Sequence, residues 1–331
     1  MNYLQKLMRL IWISFAVIAF IFLLGTYYEI HTYQNIAQYY PPPGKQYDLK
    51  NSTIHANVLG KDTGKEPTIV IEAGIGSWSK DWQIVQQRLS AYTQVVTYDR
   101  AGYGWSSPIA EFQSAEQQTS DLRKLLNKLD IKTPIILVAH SAGGVYARMY
   151  LEEYPEDVAG LVLIDTRNEY FSKENPEYSL KMLAAETQKL NSFLAQIGFI
   201  RFLNSSMSLN HLPEEFDKQL YKDVLWDKYF FDTITEEVNN IQRLESELEP
   251  LPNNIPITVI IPDNQQMNAE ELGFSQQYEQ LLQQEWLKHQ LSMNADRHII
   301  AEDSSHSVMF DNPDIIVSET LHMIRDLSVE Q

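Results

Sequence analysis

The chain has 331 residues, 44% hydrophobic and 21% charged, a balance that fills a globular core and excludes a disordered chain. Its formal charge of −18 repels phosphate backbones and, with no clustered Lys/Arg stripe to offset it, excludes nucleic acid as a partner. The absence of cysteine removes disulfides, thiolate zinc sites and a Cys nucleophile together, while leaving the compartment open.

From Leu10 to Leu24 the run LIWISFAVIAFIFLL carries no charge, and Gly25 to Tyr28 extends it to about the length that crosses a hydrocarbon core as a helix. Lys6 and Arg9 precede the run and Tyr27 and Tyr28 close it, which predicts an N-in, C-out orientation with the body of the protein extracytoplasmic. A cleaved signal peptide, leaving a secreted protein, is the alternative; no small-x-small cleavage pattern follows the run, which favours a retained anchor on the cell membrane. Glu29 to Tyr40 is polar and ends in Pro41, Pro42, Pro43 and Gly44, a pattern read as a stiff stalk.

Residues 46–60 suggest an antiparallel edge hairpin. Short apolar runs then predict strands at Thr68–Glu72, Val95–Tyr98, Pro134–Ala139, Leu161–Asp165, Ile257–Ile261 and His298–Ala301, as expected where helices cover both faces of a sheet. Leu122, Leu125, Leu126 and Leu129 recur at i, i+3, i+4 and i+7, one face of a helix between strands. A last helix starts at Pro313, with Ile316, Met323, Ile324 and Leu327 facing inward. No strand pattern interrupts Thr166 to Ile255, so this segment reads as an inserted helical cap. Within it Phe193, Leu194, Ile197, Phe199, Ile200, Phe202 and Leu203 form an apolar concentration that would line a pocket, rest against a bilayer, or pack as an ordinary helix pair. The expected organisation is a cytoplasmic tip and transmembrane anchor over residues 1–28, a stalk over 29–45, an α/β core over 46–165 and 256–331, and a cap over 166–255.

The strongest chemical signal is Ala139-His140-Ser141-Ala142-Gly143-Gly144, placed directly between a strand and a helix. A nucleophile elbow needs this context, because the turn is sharp and its neighbours must be small for the backbone to pass closely and expose the hydroxyl. Ala139 stands where Gly-x-Ser-x-Gly has its first glycine. A serine hydroxyl is a poor nucleophile at neutral pH, so a base and a carboxylate are needed. His306, in a loop after the last strand, is the best-placed base. Asp165 and Asp263 both end or follow a strand between Ser141 and His306 in chain order; Asp165 is preferred, with Asp263 the alternative.

With these motifs the chain resembles the α/β-hydrolase superfamily, in its serine hydrolase branch with a helical lid, from about Tyr47 to Val329. Glu72-Ala73-Gly74-Ile75-Gly76-Ser77-Trp78 is similar to that family's oxyanion loop, and the resemblance implies backbone N–H groups of Ile75 and Ala142 as the oxyanion donors. Asp99-Arg100-Ala101-Gly102-Tyr103-Gly104-Trp105-Ser106 is similar to its Asp-x-x-Gly-x-Gly-x-Ser turn, structural in that family. The family usually takes its acid from Gly-x-x-Asp after the later strand; this sequence reads Pro262-Asp263-Asn264-Gln265, with Gln265 where that Asp would fall. The expectation is therefore a mostly parallel α/β sheet carrying a serine esterase or lipase-like activity on a small acyl substrate, with the lipid bilayer as partner of the N-terminal helix and no metal or organic cofactor. A proline-iminopeptidase-like aminopeptidase, a carbon–carbon bond hydrolase and a non-catalytic membrane-tethered binding module are the rivals.

Overall fold

A computed structural model describes residues 3–108, 114–183, 185–203, 209, 212–265, 267 and 272–329. The chain opens with α1 (Tyr3–Tyr39), followed by β1 (Lys45–Asp48), β2 (Thr53–Leu59), β3 (Ile69–Glu72), α2 (Gln83–Leu89), β4 (Val95–Tyr98), α3 (Ala115–Lys128), β5 (Ile135–His140), α4 (Gly143–Glu153) and β6 (Val158–Ile164). Between β6 and the next strand lie α5 (Glu169–Glu174), α6 (Pro176–Leu183), α7 (Ala185–Gln196), α8 (Phe199–Leu203), α9 (Lys218–Val224) and α10 (Lys228–Glu247). The chain closes with β7 (Ile257–Pro262), α11 (Gln276–Leu291), β8 (Arg297–Ala301), α12 (Val308–Asp311) and α13 (Pro313–Val329).

The strands form one sheet in the order β1-β2-β4-β3-β5-β6-β7-β8. β1 and β2 pair antiparallel, β2 joins β4 antiparallel, and every pairing from β4 to β8 is parallel. Alternation along β5 divides the core. Ile135, Leu137 and Ala139 join the layer beneath α3 and α4, with Leu122, Leu125 and Tyr150, while Ile136 and Val138 join the layer beneath α2 and α13, with Val85, Leu89, Ile316 and Met323. Parallel strands covered on both faces leave their carboxyl ends as the open edge, and β5 and β6 deliver Ser141 and Asp165 there.

A third apolar cluster seats the inserted helices on the sheet: Trp78, Tyr103 and Trp105 from the loops after β3 and β4 pack with Phe230, Ile234 and Val238 of α10. Two features depart from the sequence reading. Helix α1 does not stop at Tyr28; it runs on through the expected stalk to Tyr39, because residues 29–39 contain no helix breaker and Glu29 and Tyr33 find partners on α8 and α10, as Tyr40 just beyond the helix does on α9. Helix α11, between β7 and β8, is absent from that reading.

Candidate active site

Ser141 follows β5 with φ +53°, in the left-handed region that a serine adopts only when its surroundings hold it there. They do: its N–H donates to the Ile164 carbonyl at 3.1 Å, and its own carbonyl accepts from Gly144 at 3.1 Å and Arg167 at 3.2 Å. Close approach explains the small residue at 143. A Cβ on Gly143 would lie 2.4 Å from the Glu72 carbonyl oxygen and 2.6 Å from that of Ala73, a collision with backbone that cannot yield. Ala139 is accommodated within the α3/α4 layer, so the departure from Gly at this position costs no contact.

Asp165 follows β6 with φ +41°, its N–H donating to the Ile260 carbonyl. Its side chain is 0% exposed, and both oxygens are taken: Oδ2 is 2.5 Å from His306 Nδ1 and Oδ1 accepts from Trp286 Nε1 at 2.7 Å. A carboxylate against Nδ1 makes that nitrogen the donor and leaves Nε2 as the basic atom. The His306 ring is 45% exposed and, with Ser141 and Asp165, lines a cavity of about 380 Å³. Asp263 is engaged elsewhere. Its two oxygens accept from the N–H groups of Ser304 at 3.0 Å and Asp303 at 3.1 Å, so it shapes the loop that carries His306. Gln265 lines the cavity wall.

His140 is a residue whose part the sequence does not reveal. It is buried, its Nε2 lies 2.8 Å from the His306 carbonyl oxygen, and the two rings stand 4.5 Å apart. A carbonyl only accepts, so Nε2 carries the proton. Burial, and after it the neighbouring His306, hold the His140 pKa well below the usual imidazole range, which keeps the ring neutral. His140 therefore ties the loop of His306 to the strand of Ser141.

The loop from Ala73 to Gly76 lies against the same turn: a Cβ on Gly74 would be 3.1 Å from Ser141 Cβ. Arg100 grips this loop. Its Nη1 donates to the Ala73 carbonyl at 2.5 Å and to Glu72 at 2.8 Å, its Nη2 to the Gly74 carbonyl at 2.9 Å, and its Nε to Glu237 of α10 at 2.9 Å. Tyr103 donates to Glu237 at 2.5 Å and accepts from the Gly76 N–H at 3.2 Å. Burial and the Glu237 carboxylate raise the Tyr103 hydroxyl well above the ordinary phenol range, so it remains a donor. Arg100 and its two carboxylates are all buried, and a buried charge this fully paired carries a large penalty if one partner is removed. The cue was a Glu closing the apolar strand TIVIE. Asp99, two residues before Ala101, accepts from the Ser79 and Trp105 N–H groups and meets His55 at 2.8 Å, which pins the glycine-rich turn to β2.

The N–H groups of Ile75 and Ala142 have no acceptor among the described residues. The rest of the cavity wall is mainly apolar: Phe171, Tyr178, Met182, Met267, Leu272 and Trp286, with Arg167, Ser172 and Ser179. Arg167 is bound by Glu245 of α10 at 2.6 and 3.0 Å. Of the seven apolar cap residues singled out from the sequence, none lines this cavity; Ile200 packs inward while Phe193, Phe199 and Phe202 are exposed. No cluster of three or more His, Asp or Glu side chains is arranged to hold a metal ion among the described residues.

Comparison with known proteins gives a family and a fold. A family model described as "alpha/beta hydrolase fold" matches residues 67–313. A Hormonema carpetanum protein named as a probable transporter, efuK, is 28% identical over 296 residues, covering 82% of this chain and 41% of that protein. The uncharacterized YqjL of Bacillus subtilis is 33% identical over 121 residues, 37% of this chain and 47% of that one. The chain thus matches less than half the length of either relative. Among solved structures, a thermophilic esterase from Thermogutta terrifontis superposes with a TM-score of 0.57 at 16% identity, over 84% of this chain and 94% of that one.

Proposed function

The chain belongs to the α/β-hydrolase fold family, and from that premise we propose that it is a membrane-anchored serine hydrolase that cleaves carboxylic esters through an acyl-enzyme on Ser141. The observation that carries this reading is the 2.5 Å contact between Asp165 and His306 at a cavity shared with a serine held in left-handed backbone. In the first half-reaction His306 Nε2 takes the Ser141 proton as Oγ attacks the ester carbonyl. The oxygen that becomes negative is received by the N–H groups of Ile75 and Ala142, donors that need no reorganisation as charge develops. His306 then gives its proton to the departing alcohol, and the acyl group stays on Ser141. Water activated by His306 resolves the acyl-enzyme by the same steps. Asp165 holds the Nδ1–H tautomer and stabilises the imidazolium, while Trp286 fixes the carboxylate in place.

The cavity wall supports an ester with an apolar acyl group. Its charged lining residues, among those described, are Asp165, Arg167 and His306, and Asp165 is already engaged by His306 and Trp286. No carboxylate there is left to receive a substrate amine, which weighs against the aminopeptidase. Residues 46–165 with 256–331 serve as the catalytic core and 166–255 as its cap. Helix α1, whose apolar stretch has a mean hydropathy of 2.5 and no buried residue, is retained as an N-in anchor that leaves the core extracytoplasmic. A panel of p-nitrophenyl esters beside a Pro-anilide tests the substrate class: turnover of the esters is expected, and turnover of the anilide alone would overturn the esterase assignment.

A further inference from the structure

Helix α1 is built into the cap rather than hung from it. At Gly25 the backbones touch: a Cβ there would lie 2.1 Å from the Ile197 carbonyl oxygen, and one on Gly198 would lie 2.6 Å from that of Gly25. One turn on, Glu29 pairs with Arg201 at 2.6 Å with both side chains buried, and Arg201 also donates to the Asp223 carbonyl. Tyr33 packs on Tyr229 at 5.1 Å between centroids, Tyr40 donates to Asp223, and the Tyr40 carbonyl accepts from Trp105. These contacts run along α1 from Gly25 onward and leave the preceding apolar run, Leu10 to Leu24, bare.

Helix α8 starts at Phe199, one residue beyond the crossing with Gly25, so it lies level with the end of that bare run. Its inward residues are Ile200 and Arg201. Its outward residues are all apolar: Phe199 and Phe202, whose rings stack at 6.4 Å, and Leu203, with Phe202 77% exposed. Leu190 and Phe193, one turn apart on α7, are likewise exposed. A run of 15 residues rises about 22 Å as a helix, most of a hydrocarbon core roughly 30 Å thick, so a bilayer around Leu10–Leu24 has its outer boundary near Gly25. Water-exposed Phe side chains at that depth match the position where an interfacial helix buries its apolar face.

We infer that the face formed by Phe199, Phe202 and Leu203 of α8, with Leu190 and Phe193 of α7, inserts into the outer leaflet of the bilayer that α1 crosses. This rests on reading α1 as a retained anchor. The partner is the acyl–headgroup boundary itself, not an anionic lipid, because the docking face carries no free cation among its described residues and the chain as a whole is strongly acidic. The cap is thereby seated on the membrane in a fixed orientation, and Glu29–Arg201 is the bond that sets the angle.

The absence of cysteine makes the test direct. Single-cysteine variants of the full chain, Phe202→Cys, Phe193→Cys, Phe15→Cys and Lys65→Cys, are spin-labelled in phosphatidylcholine nanodiscs, and collision with oxygen is compared with collision with a water-soluble nickel complex. Lys65 lies before β3, at the sheet end opposite the cap. The expected result is oxygen-dominated relaxation at 15, 202 and 193 and nickel-dominated relaxation at 65. Immersion at 15 with nickel-dominated relaxation at both 202 and 193 overturns the docking face and leaves the anchor standing. An aqueous label at 15, or recovery of a membrane-free protein lacking α1, overturns the anchor and the docking face together. Two cap positions keep the result decisive if one variant misfolds.

Discussion

Two donors converge on the buried carboxylate of Asp165, an indole N–H and an imidazole N–H, and in the proposed mechanism this favours Asp165 over Asp263 as the acid. Asp263 spends both oxygens on loop N–H groups. Replacing Asp165 by Asn would present an amide to Nδ1, favour the wrong tautomer and lower kcat by about 10⁴-fold. Asp263→Asn should hold kcat within a few-fold and cost about 1 kcal/mol of stability through its loop bonds. Steady-state kinetics on both variants with the best ester checks this, and the reverse ranking would move the acid to Asp263. The sequence shows both carboxylates and the chain order, but not their partners. Trp286 is silent in it, since an indole that meets Asp165 across 121 positions leaves no local pattern.

At the scale of elements, helix α10 reaches the turn at Ser141 through a chain of charges: Glu237 holds Arg100, and Arg100 holds the carbonyls of Ala73 and Gly74. The loop that offers the Ile75 N–H is thus set partly by the cap. Glu237→Gln keeps the shape but removes the charge that Arg100 and Tyr103 address. Arg100 retains Glu72, so the fold should survive with a lowered Tm, while displacement of the loop by a fraction of an ångström lowers kcat roughly tenfold with KM little changed. A lowered Tm with kcat intact would reduce Glu237 to a purely structural part. The strands were legible because burial on both faces makes them short, unbroken apolar runs; Val95–Tyr98 is read to the residue and the others shift by one to three positions. Helix α11 was not, because its buried side includes His289 and Gln290 beside Leu282 and Trp286, which blurs the apolar stripe. The helical run 29–39 was not legible, because it ends in a proline run and the partners of Glu29 and Tyr33 lie some 170 to 200 positions ahead in the chain.

For the whole molecule, a single sheet edge gathers a strained serine, a paired histidine and an apolar cavity, while α1 and the cap form one body. The acidic charge of the chain adds no attraction to anionic lipid, so under the proposed anchoring it is apolar contact that orients the site. The proposed hydrolysis depends on the Ser141 hydroxyl being activated in the folded protein. Treating the full chain in nanodiscs with a fluorophosphonate and mapping the adduct by mass spectrometry tests that most directly. The predicted result is a single adduct on Ser141, in the tryptic peptide spanning 133–148, abolished in Ser141→Ala and slowed by orders of magnitude in His306→Ala. A folded wild-type protein that stays unmodified, or is modified at another residue, would contradict it.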